Sequence, residues 1–300
     1  MTQGTTLDPP CPRCGGPSSY AYDVSDRNRN VSDGRFRYQR CDLCGVTWLL
    51  DVPDSLSDQY PAGYHDFSEG DELAAAVARE MPRLSLIQRY VSGGQLVELG
   101  PSQGVFATAA RSAGFEVVGL EMDPECCRHL EEVVGVRAIN TMFPADVLAT
   151  LPSSRAIVMW HVIEHLPDLW GTLGVIARNL EPGGVFAVAT PNPRSFGARL
   201  LRTRWVHIDA PRHLTLIPLP ALCDAASVHG LNLETATSID PIGLILNSMT
   251  WQRSLLTAPT LRDNPRLAYT IGRVLGGMFG PIERRGLRGA AYTAVFRKQN

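Results

Sequence analysis

Short apolar runs alternate with segments of helical periodicity from Gln95 to the end of the chain. The apolar runs predict strands at 95–99, 115–121, 135–140, 155–160, 184–190, 231–239 and 289–298. The intervening segments predict helices at 105–114, 124–134, 166–180 and 219–230. The strands are apolar almost throughout, which is typical of a parallel sheet buried on both faces. The pattern therefore predicts an α/β fold of the Rossmann-like, doubly wound type.

The rest of the chain divides into four segments with different patterns. Residues 1–50 contain few large apolar side chains and are predicted to form a small separate unit, while 51–70 are rich in Pro, Gly, Ser and Asp and predict a linker. A helical pattern begins at Asp71, where Pro82 should break or kink the helix before it ends at Gly93. The main domain is predicted over 71–300, with a helical insertion at 242–288. We favour a cap packed on the sheet for this insertion, and a substrate lid or a surface in contact with lipid is the alternative.

Composition and charge exclude several classes of protein. The chain has 300 residues, of which 44% are hydrophobic and 19% charged, so extensive disorder is excluded. The formal net charge is −2, which argues against general attraction to nucleic acid or to an anionic membrane. No apolar run reaches the length of a membrane-spanning helix, so peripheral contact is the only lipid interaction that we consider. The first twenty residues lack a basic start and an apolar core, and we expect a cytoplasmic protein.

Two C-x-x-C-G segments near the start predict a metal site. Each spacing lets two thiolates reach one tetrahedral ion, and the following glycine permits the tight turn. Four thiolates select structural zinc, so we predict a zinc ribbon with the ligands Cys11, Cys14, Cys41 and Cys44. Two redox-active pairs are the alternative, but such a pair usually sits beside a βαβ unit, and neither does.

A glycine-bearing turn between the first two elements of the alternating region predicts a nucleotide-like site. Gly100 and Gly104 allow close approach of the backbone to a ligand, and the helix that follows offers free N–H donors. Glu121 ends the next strand, where a carboxylate accepts hydrogen bonds from ribose hydroxyls. The spacing differs from G-x-G-x-x-G, which weakens the interpretation as an NAD-dependent dehydrogenase.

Four segments in this order, VELGPSQG, VVGLEMDPE, MWHVIEHLPD and LEPGGVFAVATPN, resemble the class I S-adenosylmethionine-dependent methyltransferases. The similarity is greatest to the ubiquinone-biosynthesis-like branch, in forms with an N-terminal zinc ribbon. The resemblance implies a seven-stranded sheet whose last strand is antiparallel. It also implies that Glu98, Gly100, Ser102 and Gly104 hold the methionine part of the cofactor, with Ser102 in place of the family's middle glycine. The remaining implied cofactor contacts are Glu121 to the ribose, Met122 beside the adenine, Asn140 to Met142 near the adenine amino group, Trp160, and the capping pair Tyr60 and Tyr64.

Candidate residues for chemistry lie after the later strands. His161 follows one strand and Asn192 follows the next, where Asn192 is placed to orient an acceptor. The segment from Trp205 to His213 resembles the family's segment beside the substrate site. The candidate bases are therefore His161, His207 and His213, with Arg212 as a ligand for an anionic acceptor. Glu164 and His165 are predicted to cap the following helix.

The motif His161-x-x-Glu164-His165 also matches an inverted zinc-peptidase signature. That motif requires a helix presenting both histidines, and a strand precedes it here.

These observations together predict an enzyme that transfers a methyl group from S-adenosylmethionine to a hydroxyl of a sugar, lipid-linked or natural-product small molecule. The alternatives are C-methylation of a deoxysugar, methylation of an RNA base with the ribbon as a grip, and a non-catalytic binding module. For RNA, arginines 27, 29, 35, 37 and 40 suit phosphates, but Asp23, Asp26 and Asp33 dilute that charge. The identity of the acceptor and the oligomeric state are not predicted.

Overall fold

A central sheet of seven strands organises the molecule, in a computed structural model that describes residues 8–60, 67–256, 261 and 263–299. The strands of this sheet are β4 (Gly94–Leu99), β5 (Phe115–Glu121), β6 (Arg137–Asn140), β7 (Ser154–Trp160), β8 (Leu180–Pro191), β10 (Leu231–Thr237) and β11 (Ala291–Lys298). Their order is β10-β11-β8-β7-β4-β5-β6. The pairs among β4 to β8 are parallel, whereas β11 runs antiparallel to both neighbours. This arrangement confirms the predicted α/β class and the antiparallel last strand.

Helices cover both faces of this sheet because its strands are apolar on both sides. The helices are α1 (Gly70–Gln88), α2 (Val105–Ser112), α3 (Pro124–His129), α4 (Pro144–Leu148), α5 (Leu169–Asn179), α6 (Phe196–Leu201), α7 (Leu219–Ser227), α8 (Pro241–Leu256) and α9 (Pro265–Glu283). One core lies beneath α5 and α7, where Ile157, Leu173 and Leu222 are fully or almost fully buried. The other lies beneath α1 and α2, around Leu84 and Phe106.

A second, smaller sheet of four strands joins the N-terminal unit to the main domain. Its order is β1 (Ser18–Ser25), β2 (Arg35–Cys41), β3 (Thr47–Leu49) and β9 (Thr215–Leu216). The edge strand β9 belongs to the main domain, and its Leu216 pairs with Thr47. The N-terminal unit therefore shares backbone hydrogen bonds and a buried cluster, including Tyr38 and Trp205, with the rest of the chain.

Several element predictions differ from the structure. Helix α1 continues through Pro82, so the expected break is wrong. Helices α4 and α6 were not predicted, and each is only one to two turns long. The insertion forms α8 and α9, and α8 packs on α1 and β11 as a cap. Within the described residues, no helix is both long and apolar enough to cross a bilayer.

Candidate active site

The turn between β4 and α2 brings the backbone close to neighbouring side chains. Gly100 and Gly104 have positive φ angles of 67° and 76°. A Cβ at Gly100 would lie 2.6 Å from Val162 Cγ2, and one at Gly104 would lie 2.6 Å from Leu130 Cδ2. Only glycine fits both positions without strain, so the turn at the start of α2 packs closely against Val162 and Leu130. Ser102, between them, also has a positive φ of 52°.

Glu121 stands at the end of β5 and is 4% exposed. Its Oε2 accepts a hydrogen bond from the Ser102 N–H (2.9 Å), and its Oε1 accepts from the N–H groups of Met122 (2.8 Å) and Asp123 (3.0 Å). This fixes the carboxylate beside the glycine turn. Asn140 donates to the carbonyl oxygens of Glu121 (3.1 Å) and Met122 (2.9 Å), so its side chain holds the end of β5 rather than facing a ligand. Met122 is 40% exposed beside this site.

Two buried polar atoms at the ends of β4 and β7, Glu98 Oε2 and Trp160 Nε1, have no hydrogen-bond partner among the described residues. Arg83 of α1 lies beside them, with its Nε 3.4 Å from Asp240 Oδ1 and its Nη1 3.4 Å from Glu80 Oε2. The guanidinium carbon of Arg83 lies 4.8 Å from the centre of the Trp160 ring, and Arg83 is 2% exposed. Burial raises the pKa of Glu98 well above its usual value, and the carboxylates of Glu80 and Glu121 add to the shift. Such orphaned groups indicate a place for a polar ligand.

Glu164 forms the centre of a second cluster, at the ends of β7 and β8. Its Oε2 accepts a hydrogen bond from Thr190 Oγ1 (2.9 Å), and its Oε1 lies 3.7 Å from His161 Nδ1 and 3.9 Å from His213 Nε2. Burial alone would raise the pKa of Glu164, but the imidazoles of His161 and His213 outweigh it and lower this pKa to about 2. Glu164 is therefore a buried carboxylate anion at the site. The expectation that it caps a helix is wrong, because Asp168 caps α5.

His213 is the best placed of the three candidate bases. Its Nδ1 donates to the carbonyl oxygen of His207 (2.9 Å), which leaves Nε2 with its lone pair. A proton taken up at Nε2 would lie between Glu164 and Asp209, whose Oδ2 is 3.8 Å away. Two carboxylates at this distance stabilise an imidazolium.

His161 and His165 flank the same carboxylate. His161 has a positive φ of 60°, and its Nε2 lies 3.4 Å from Nη2 of Arg83. Since a guanidinium only donates, His161 accepts there and directs its Nδ1–H at Glu164. Nδ1 of His165 donates to the Arg212 carbonyl oxygen (2.9 Å) and lies 3.1 Å from the hydroxyl of Tyr60. Tyr60 therefore lies beside the cluster around Glu164, while Tyr64 lies outside the described residues.

The structure disagrees with the prediction that His207 acts as a base. Its Nε2 bonds to the Leu246 carbonyl oxygen (3.2 Å) and to Thr250 Oγ1 (3.0 Å), both in α8. Burial lowers the pKa of His207 to about 4. The ring therefore anchors its loop to α8.

Asn192 and Arg212 are likewise engaged by the protein. The Asn192 side chain donates to the carbonyl oxygens of Leu287 (3.0 Å) and Gly289 (3.1 Å) and accepts from the Arg194 N–H (3.0 Å). This uses both its donors, which argues against its predicted role of orienting an acceptor.

Arg212 is completely buried, and all five of its donors are bound. Nη1 and Nη2 hold the Asp26 carboxylate at 3.0 and 2.6 Å, Nε and Nη2 hold Asp209 at 3.2 and 2.7 Å, and Nη1 also reaches the Gln59 carbonyl oxygen (3.0 Å). The prediction that Arg212 binds an anionic acceptor is therefore wrong, because no donor remains for one.

The four N-terminal cysteines converge as predicted. Three Sγ–Sγ distances among them are 3.5, 3.7 and 3.9 Å. Tetrahedral zinc with Zn–S bonds of about 2.3 Å requires edges of about 3.8 Å, so the donor set fits this ion. The two knuckles have the same geometry, since Gly15 donates to the Cys11 carbonyl (2.9 Å) and Gly45 to that of Cys41 (3.1 Å).

Arg83, Asp209 and the role of Glu164 were not predicted from the sequence. Arg83 lies in the helix before the sheet, where no motif marked it, and Asp209 stands in a segment considered for its histidines and Arg212. Buried Arg83 pairs with Glu80 and with Asp240, both at 3.4 Å. Asp240 lies far from Arg83 in the sequence, so no local spacing predicts the pair with it.

Comparison with known proteins connects this geometry to a family. A family model described as a methyltransferase domain matches residues 70–236. A ubiquinone biosynthesis O-methyltransferase from Paramagnetospirillum magneticum is 27% identical over 113 residues, which cover 35% of this chain and 44% of that protein. The chain thus matches less than half the length of this relative.

Two solved structures share the fold. A proposed sarcosine dimethylglycine methyltransferase from Galdieria sulphuraria has a TM-score of 0.52 at 16% identity, covering 79% of this chain and 95% of the other. An S-adenosylmethionine-dependent methyltransferase from Archaeoglobus fulgidus has a TM-score of 0.51 at 14% identity, covering 75% and 94%. At these identities the likeness concerns the fold alone.

Proposed function

The chain belongs to the methyltransferase-domain family, and from this premise we propose that it transfers a methyl group from S-adenosylmethionine to a hydroxyl of a small molecule. The observation that supports the proposal best is the pair of adjoining sites at the carboxyl ends of the parallel strands. One has the glycine turn and Glu121, and the other has His213 with Glu164. Parallel α/β sheets bind their ligands at this edge.

The first site suits the zwitterionic nucleoside cofactor. Glu121 would accept hydrogen bonds from the ribose hydroxyls, and Met122 would pack beside the adenine. Arg83 would face the carboxylate of the methionine part, and Glu98 Oε2, which has no hydrogen-bond partner among the described residues, would accept from its ammonium group. The cofactor supplies an electrophilic methyl group on its sulfonium.

The second site suits removal of a proton from a hydroxyl. His213 Nε2 accepts the proton from the acceptor oxygen, and the resulting imidazolium is stabilised by Glu164 and Asp209. Glu164 stays ionised, since its pKa is about 2. His161, held by Arg83, orients this carboxylate. Sugars, lipid-linked compounds and natural products carry such hydroxyls, and the proposal covers these classes.

Cofactor binding tests the first half of the proposal. Isothermal titration calorimetry should show one S-adenosylmethionine per chain. Glu121→Gln should weaken binding at least about tenfold, because hydrogen bonds to a charged acceptor contribute about 1.5–3 kcal/mol each. Glu116→Gln, an exposed change on the same strand, is the matched control and should bind as the wild type does. Preferential binding of NAD would contradict the proposal.

Product analysis tests the second half. Formation of S-adenosylhomocysteine should be measured with panels of hydroxylated sugars, lipid-linked compounds and phenolic natural products. His213→Gln should reduce turnover by about 10²–10⁴-fold, the usual contribution of a general base, with cofactor affinity unchanged. A methyl group found on carbon, or an RNA acceptor with salt-sensitive binding, would overturn the O-methyl assignment.

We also propose that Cys11, Cys14, Cys41 and Cys44 hold one structural zinc ion, on the strength of the Sγ separations. Elemental analysis of the purified protein should give one zinc per chain. A Cys14→Ser variant that retains full zinc would contradict this assignment.

A further inference from the structure

Helix α9 presents a row of apolar side chains to solvent. Leu267, Val274 and Met278 are 45%, 66% and 57% exposed. At about 100° per residue they fall within an arc of about 40° on the helix. The opposite side of α9 packs on α8, where a Cβ at Gly272 would lie 2.5 Å from Gln252 Cα. The row therefore faces away from the protein.

Arginines form a second exposed row, about 110° around the helix from the apolar row. Arg266, Arg273 and Arg284 repeat at intervals of 7 and 11 residues and lie within about 20° of one another around the helix. Arg285 and Arg288 continue the positive charge beyond the end of α9, and all five side chains are exposed. None of them forms an ion pair with a carboxylate among the described residues.

Acidic side chains are almost absent from this part of the chain. Glu283 is the only acidic residue from Asn264 to Asn300, and it is buried, accepting a hydrogen bond from Trp251 Nε1 (3.0 Å). Residues 264–300 contain seven basic residues and this one acidic residue, whereas the whole chain has a formal charge of −2. The surface thus combines an apolar row with an unopposed cationic row.

We propose that this face of α9 binds the surface of an anionic lipid bilayer, with the helix lying in the plane of the membrane. An amphipathic helix with arginines beside its apolar face binds in this way, the apolar side chains entering the acyl boundary and the cations contacting lipid phosphates. Charge complementarity therefore selects an anionic membrane over a second copy of this chain, which would place the arginine rows near each other. The proposal is independent of the methyl-transfer reaction.

Vesicle co-sedimentation with the full chain tests the proposal. We expect binding to phosphatidylcholine vesicles that contain about 30% phosphatidylglycerol, weak binding to pure phosphatidylcholine, and loss of binding as salt rises. Arg266→Glu with Arg273→Glu, and separately Val274→Asp with Met278→Asp, should each reduce partitioning at least about tenfold.

Matched control variants test whether a loss of vesicle binding is specific to the exposed face of α9. They change charged and apolar residues elsewhere on the surface. Arg128→Glu with Arg137→Glu changes the same charge on exposed residues of α3 and β6, and Val228→Asp changes a side chain that is 79% exposed after α7. These variants should bind vesicles as the wild type does. S-adenosylmethionine affinity, measured in every variant, should stay unchanged and shows that each variant is folded.

Three results would overturn the proposal. They are no binding to anionic vesicles, equal binding to neutral and anionic vesicles, and equal loss in the control variants. A wild-type dimer in light scattering that Val274→Asp with Met278→Asp converts to monomer would instead assign the row to a second copy. Since cofactor binding is measured separately, failure here leaves the methyltransferase proposal standing.

Discussion

Ser102 adopts the left-handed backbone conformation in the turn that separates β4 from α2. A side chain with a Cβ is disfavoured there by about 1–2 kcal/mol, and its N–H is nevertheless held by Glu121 (2.9 Å). The serine is therefore tolerated because the turn is fixed by hydrogen bonding and by its neighbouring glycines. The sequence shows that Ser102 replaces the family's middle glycine. It does not show the positive φ angle that makes this replacement strained.

Replacing Ser102 by Gly should raise the free energy of unfolding by about 0.5–1 kcal/mol, the relieved strain less the added chain entropy of glycine. Urea denaturation measures this change. Ser112→Gly, in the last turn of α2, is the control and should lower the free energy of unfolding by a few tenths to about 1 kcal/mol. A Ser102→Gly variant less stable than the wild type would show that the side chain itself contributes.

The alternation of apolar runs and helical segments predicted the central sheet and its covering helices. This was possible because strands buried on both faces are apolar at almost every position. The short helices α4 and α6 gave no such signal, since one or two turns hold too few residues for periodicity. Helix α1 continues through Pro82 because Leu84 and Ile87, in the turns that follow it, are fully buried against the main domain. Strand β9 is two residues long, and only its pairing with Thr47 reveals it.

The packing of α8 on α9 buries a titratable group. Glu283 is 2% exposed and bonded to Trp251, and burial raises its pKa from 4.5 to about 7 despite that hydrogen bond. The folded protein therefore binds this proton more tightly than the unfolded chain does. The protonated Glu283 therefore contributes fully to the free energy of unfolding below pH 4.5. This contribution declines between pH 4.5 and about 7 and is lost above that.

Glu283→Gln should remove this pH dependence, because the amide keeps an acceptor for Trp251 and does not ionise. The wild type should lose about 3 kcal/mol of unfolding free energy relative to the variant between pH 4.5 and 8, since one pKa unit corresponds to about 1.36 kcal/mol. Urea denaturation of both proteins across this range measures the difference. Parallel curves for the two proteins would contradict the assignment.

The N-terminal unit contacts the loop that carries His213. Its Asp26 holds Arg212 at 2.6 Å, its Asn28 donates to Asp209 (2.8 Å), and its Tyr38 donates to the carbonyl oxygen of His213 (2.7 Å). All three contacts end on the loop that presents the candidate base. The spacing of the cysteines and of the histidines predicts two separate sites, because nothing in either pattern shows that the two segments meet in the fold.

The Asp26–Arg212 pair joins the N-terminal unit to the His213 loop, and its contribution to the free energy of unfolding can be measured. Asp26→Asn should lower the free energy of unfolding by about 1.5–3 kcal/mol, since an amide N–H replaces one acceptor oxygen of this charge-assisted pair while Asp209 still neutralises Arg212. Turnover should fall further than S-adenosylmethionine affinity, because Arg212 acts through the His213 loop. Asp23→Asn, in the strand that precedes Asp26, is the control, because its partly exposed pair with Arg37 (3.6 Å) contributes at most about 1 kcal/mol. Equal destabilisation by both changes would contradict the role of this pair.

Removal of zinc should unfold the whole N-terminal unit and so release the loop that carries His213. Fewer than sixty residues cannot bury enough surface to stay folded alone, so a chelator or Cys14→Ser should unfold the N-terminal sheet. Asp26 and Tyr38 then release the loop, whereas the glycine turn and Glu121 belong to the other half of the central sheet. We expect methyl transfer to fall at least about tenfold while S-adenosylmethionine affinity changes by less than about threefold, measured by turnover assay and calorimetry on the zinc-free protein. Full turnover without zinc would mean that β9 and Arg212 hold the His213 loop without the ribbon, and equal loss of both properties would mean that the two units unfold as one.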